Sequence, residues 1–80
     1  MNGIVRAANH RRQRYAIQTD DGFTVADLID GELNINDEVS GTLDDHGETM
    51  LRNLTTGDLV EVRIDAYYAS RESAAQFLAQ

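Results

Sequence analysis

The sequence contains no cysteine, no proline, no tryptophan and no lysine. Without cysteine there is neither a disulfide framework nor a zinc knuckle, so a hydrophobic core has to hold the fold unaided. No run approaches the roughly 18 apolar residues of a membrane-spanning helix, and Met1 to His10 has no signal-peptide apolar stretch. The expectation is a soluble, cytoplasmic protein without membrane contact. Machinery for catalysis is missing too. There is no thiol nucleophile and no serine in a Gly-x-Ser-x-Gly elbow, and the six glycines are scattered among turns instead of forming a phosphate-cradling loop. The stretch Asp44-Asp45-His46-Gly47-Glu48 holds residue types that ligate metals. Its spacing matches neither an EF-hand loop nor a His-Glu-x-x-His helix, and Asp and Gly are what a polar hairpin turn uses. The reading is a non-enzymatic chain with no metal and no cofactor.

What is present suffices for one small domain. The chain has 80 residues, 41% of them hydrophobic, which is too apolar for a disordered acidic segment. A core of this size supplies only about 3–5 kcal/mol net. The charge is unevenly placed. Residues 1–19 hold Arg6, Arg11, Arg12 and Arg14 and no acid, whereas residues 20–50 hold ten acids and no base. Every base is arginine, whose planar fork suits phosphates, carboxylates and aromatic faces. Two readings stand: a solvated surface whose arginines pair with the molecule's own acids, or a small anion-binding patch on an otherwise repulsive body.

The dominant hydrophobic period is two, the signature of half-buried strands. It is clearest over Asp58–Tyr68, where Val60, Val62, Ile64 and Ala66 alternate with Glu61, Arg63 and Asp65. Further strands are expected at Ile4–Ala8, Arg14–Thr19, Phe23–Leu28, Glu38–Leu43 and Glu48–Leu54, with turns at Asp20-Asp21-Gly22, Asp44–Gly47 and Thr56-Gly57-Asp58. Short strands at such spacing suggest a small barrel or sandwich. The tail differs: Ser70 suits a helix cap, and Ala74, Phe77 and Leu78 share one face at helical spacing. The expected organisation is a single domain, with a β-barrel over 1–69 and a helix over 70–80 packed on the barrel or on a partner.

The opening Met1-x-Gly3-x-Val5-Arg6-x-x-Asn9 resembles that of cold-shock domains, a branch of the OB-fold barrels. Ile17-Gln18-Thr19-Asp20-Asp21-Gly22, Asn36-Asp37-Glu38-Val39 and Leu51-Arg52-Asn53-Leu54-Thr55 continue the likeness in the family's order, over about residues 1–57. The resemblance implies a mainly β fold, a small five- to six-stranded OB-like antiparallel barrel, here with a short C-terminal α-helix. In that family, exposed aromatics on strands one to three stack the bases of single-stranded RNA or DNA. Here Ala7 and Ala8 stand where the family has an aromatic pair, Arg14-Tyr15-Ala16 replaces a Phe-rich motif, and strand three keeps Phe23 but lacks the usual His. Each lost stacking contact removes about 1–3 kcal/mol per base.

Two functions follow as expectations. The first is weak binding of short single-stranded nucleic acid by Arg6, Arg11, Arg12 and Arg14, with one or two bases on Tyr15 or Phe23. Tyr15 fits core and platform equally, and a core position suits Phe23 better. The second is a protein-interaction module or accessory subunit that kept the barrel and lost its nucleic-acid face. Such a module would dock on a basic partner or self-associate through Tyr67, Tyr68 and Phe77, three of only five aromatics. The segment after residue 57 lies outside the family's pattern, and for its strand and helix two roles are open, covering one side of the barrel or forming a dimer surface with Tyr67, Tyr68 and Phe77.

Overall fold

The first hairpin is set by its turn. Asp20 and Asp21 bridge Thr19 and Gly22, which are paired across the ladder. Gly22 takes a positive φ of 125° and lies so close to the Ala69 carbonyl that a Cβ there would be 2.8 Å from its oxygen. Only glycine meets both demands. The computed structural model describes residues 1–80, with strands β1 (Asn2–Asn9), β2 (Arg14–Thr19), β3 (Gly22–Asp30), β4 (Glu38–Ser40), β5 (Gly47–Asn53) and β6 (Leu59–Ala69), followed by helix α1 (Arg71–Ala79). All pairings are antiparallel, and the sheet closes in the order β1-β2-β3-β6-β5-β4 with β1 also paired to β4. The fold is therefore a closed six-stranded barrel with one short helix, and closure leaves no sheet edge to template association.

The barrel expected over 1–69 includes the strand beginning at Leu59: β6 is not a cover on its outside but a stave of it, hydrogen-bonded to β3 on one side and β5 on the other. Its strict alternation has this cause: Val60, Val62 and Ile64 point into the core. The strand expected to reach Leu43 stops at Ser40. Leu43 instead folds over the barrel end, fully buried, with its carbonyl accepting a 2.6 Å hydrogen bond from the Thr24 hydroxyl.

The inward residues Val5, Tyr15, Ile17, Ala26, Leu33, Val39, Leu43, Leu51, Val60, Val62 and Ile64 form one continuous core. A second, smaller cluster lies outside the barrel wall, where Ala16 and Val25 meet Ala74 of α1, with Ala7, Phe23, Ala66, Phe77 and Leu78 around them. A nine-residue helix is marginal in isolation, so α1 persists because this apolar contact and its caps hold it. At its start the Ser70 hydroxyl accepts from the Ser73 amide at 3.1 Å.

One buried polar knot closes the opposite end. The Asp37 carboxyl accepts from the Asn34 amide at 2.9 Å and from the fully buried Asn53 side chain at 2.8 Å, while Asn53 Oδ1 accepts from the amides of Thr55 and Thr56. The loop before β4 is thereby tied to the β5–β6 turn. Replacing Asn53 with alanine leaves Asp37 with the Asn34 amide alone, releases the Thr55 and Thr56 amides and empties a fully buried site, which together costs about 3 kcal/mol. Against a net stability of about 3–5 kcal/mol, the Asn53→Ala protein is expected to be largely unfolded at 37 °C. A urea titration followed by circular dichroism checks this, and an unchanged midpoint contradicts the role given to the knot.

Candidate functional site

Arg14 lies opposite Asp27 across the β2–β3 ladder, and Asp27 in turn lies opposite Arg63 across β3–β6. The guanidinium of Arg14 grips Asp27 with two hydrogen bonds, Nε to Oδ1 at 2.8 Å and Nη2 to Oδ2 at 3.2 Å. It also donates to Asp65 and, through Nη1, to the Phe77 carbonyl at 3.0 Å. Asp65 reaches it because β6 carries one extra residue there: Ile64 pairs with Ala26 and Ala66 with Val25, leaving Asp65 bulged between them. Helix α1 has no basic residue in its last turn, so Arg14 supplies both the positive charge and the donor that its carbonyl end lacks. Asn9 adds a 2.7 Å bond from its side chain to the Leu78 carbonyl. The hydrogen bonds from Arg14 hold the Asp27 carboxyl below the usual carboxylate range, against an opposing push from burial.

This arrangement removes Arg14 from the set expected to meet a phosphate, because its fork is already occupied by two carboxylates and a carbonyl. Tyr15 leaves the set as well. It is 3% exposed and belongs to the main core, where burial, aided by the charge of Glu32, raises its phenol pKa. The even alternation of β2 puts Tyr15 and Ile17 inward, so no stacking surface is offered there. Phe23 faces outward but lies in the small cluster beside α1. The helix thus rests on the outer face of β1–β3, the face that the resemblance assigns to bases.

The other arginines behave differently. Every ion pair in the molecule involves Arg14 or Arg63, so Arg11 and Arg12 project unpaired from the β1–β2 turn. Arg6 donates from Nε to Gln18 Oε1 at 3.0 Å. Of the aromatics expected to build an interface, Phe77 packs in the small cluster and Tyr67 against the main core, with its ring 4.7 Å from that of His46. Tyr68 alone stays open, 54% exposed, with its hydroxyl donating to Asp44 at 3.2 Å. Composition and spacing had not pointed to the far wall of the barrel. There Met50 (51% exposed) and Leu59 (53%) lie diagonally across β5 and β6, and Ile29 (46%) bulges from β3 between the residues paired with Val62 and Glu61. Glu61 sits between these apolar side chains.

Two concavities complete the surface. A polar groove of about 600 Å³ runs over the start of β1, with Arg6 facing Asp20, Asp21 and Glu38. A cleft of about 530 Å³ lies between α1 and the barrel, lined by Arg6, Ala7, Ala16, Gln18, Phe23, Arg71, Ala74, Ala75 and Leu78. No three His, Asp or Glu side chains converge as a metal site would require, and no helix is long and apolar enough to cross a membrane. Comparison with protein-family models, curated proteins and solved structures finds no match.

The clamp has a pH signature. Because the folded pKa of Asp27 lies below its unfolded value, the stabilisation is present above roughly pH 4 and is lost as pH falls through the folded value. Melting curves collected from pH 7 to pH 2 are expected to fall more steeply for the native protein than for Asp27→Asn, which starts lower and flatter. Parallel curves would remove the clamp from the account.

Proposed function

We propose that this protein is a non-enzymatic interaction module whose barrel binds another protein through the wall bearing Ile29, Met50 and Leu59. The observation that carries the reading is the position of α1. By packing Ala74, Phe77 and Leu78 against Ala7, Ala16, Phe23 and Val25, the helix occupies the outer face of β1–β3, whereas Ile29, Met50 and Leu59 stay uncovered on neighbouring strands, the other exposed large apolar side chains being Met1, Ile35, Leu54 and Tyr68. Large apolar side chains exposed together on adjacent strands mark interaction surfaces. Asp30, Glu48 and Asp58 stand around them and Glu61 between them, accompanied by Arg52 and Arg63. The acidic excess selects a partner with a basic rim and an apolar centre, and the chain's net charge of −7 opposes pairing of two copies.

A second reading has one observation in its favour. Arg11 and Arg12 are unpaired side by side in the β1–β2 turn, a small footprint for the phosphates of a short single strand. With Tyr15 buried and the acidic segment 20–50 nearby, such binding is confined to a few nucleotides and is steeply salt-dependent.

The two readings separate on substitution. Met50→Glu with Leu59→Glu places charge in the centre of the wall. For a protein partner captured by the native chain and then purified, this double variant is expected to lose at least about tenfold in affinity, whereas Arg11→Gln with Arg12→Gln changes it little. The reverse pattern, with binding of a labelled hexanucleotide at low salt abolished by the arginine variant, contradicts the protein-binding reading and supports the second.

A further inference from the structure

We infer that the cleft between α1 and the barrel is a binding site for a small organic carboxylate with a flat or branched apolar body. The site is built by small side chains at a place where large ones belong. Ala7 and Ala16 face each other across β1 and β2, and Ala74 and Ala75 approach them from the helix. Ala16 and Ala74 meet at the closed end of this helix–sheet contact, and beside them Ala7 and the exposed Ala75 line an opening of about 530 Å³, within the range of about 300–1,000 Å³ that ligand sites occupy. Phe23 and Leu78 complete an apolar floor.

The polar groups at its rim select the ligand's charge. The register of β1 against β2 shifts between Val5 and Ala7, so Arg6 is an extra residue on its strand and shares the outer face with Ala7. Such bulges re-aim side chains beside sites. Arg71 comes from the first position of α1 and has no ion-pair partner. The cleft therefore presents two guanidiniums and no carboxylate, in a chain with twice as many acids as bases. The neighbouring groove, which shares Arg6 but adds three carboxylates, repels the same ligand. An apolar body fills the gap over the alanines while its carboxylate accepts from Arg6 and Arg71, a charge-assisted contact with a planar fork. Arg6 is bonded to Gln18, and both side chains stand on the ridge shared by the cleft and the neighbouring groove.

The test is an NMR titration of the full chain with 4-phenylbutyrate, run beside 4-phenylbutanol and a hexanucleotide. Saturable shifts are expected at the amides of Ala7, Ala16, Ala74 and Ala75 and at the Nε–H groups of Arg6 and Arg71. The alcohol should bind at least about fivefold more weakly, and Arg71→Gln should weaken the acid by a similar factor. Ala75→Leu fills the cleft from an exposed helical position and should abolish the shifts without lowering the melting temperature. Equal binding of acid and alcohol, full binding by Ala75→Leu, or shifts at these amides with the hexanucleotide and none with the acid would each overturn the assignment.

Discussion

The architecture depends on one guanidinium. Arg14, on β2, is the point where β2, β3, β6 and α1 meet, and it binds Asp27, Asp65 and the Phe77 carbonyl, with Arg63 as a second cation 3.6 Å from Asp27. The carboxylates of Asp27 and Asp65 share this one cation, and the end of the helix, already held by its apolar contact with the barrel, is fixed by the bonds that its carbonyls accept from Arg14 and Asn9. Lysine would not substitute, since one ammonium cannot span two carboxylates and a carbonyl with the geometry of a planar fork. In a domain with about 3–5 kcal/mol to spare, an interaction of this kind decides whether the helix is part of the fold.

Its consequences reach function through exclusion. With α1 in place, the outer face of β1–β3 is an internal surface, small at Ala7 and Ala16 beside the larger Phe23 and Val25. That same smallness opens the cleft beside the helix, so the tether that closes one face creates the concavity with two free arginines. The far wall has no such cover, and its exposed apolar side chains on β3, β5 and β6 are where contact with another molecule meets the least opposition. Acidic surroundings then set the sign of the partner.

Much of the fold was legible because alternation is a direct consequence of a closed barrel with one wet face: β2 was expected with its actual ends, and Val60, Val62 and Ile64 were expected on one face. The neighbours of β6 within the barrel were not legible, since period two says that a strand is half-buried and not which strands flank it. The pairing of Arg14 was within reach. With Thr19 and Gly22 paired across the turn, counting back along the hairpin puts Arg14 opposite Asp27. Summing charge by segment hid this, because the arginine and its carboxylate fall on opposite sides of residue 20. The other partners, Asp65 and the Phe77 carbonyl, come from a bulge and a helix end that no local pattern specifies. Tyr15 was ambiguous for a plain reason: a tyrosine beside an arginine on a strand looks alike whether the strand's wet face is its odd or its even one, and Ile17 was the residue that indicated the answer.

Amide hydrogen exchange on the native protein addresses the central claim directly, by comparing α1 with the strands it touches. If Arg14 makes the helix part of the barrel, the amides of Phe77 and Leu78 open only with the whole domain and exchange at the rate of the slowest amides in β2 and β3. Exchange of the helix amides orders of magnitude faster than those strands would mean that α1 detaches freely, and the face beneath it would count as open surface.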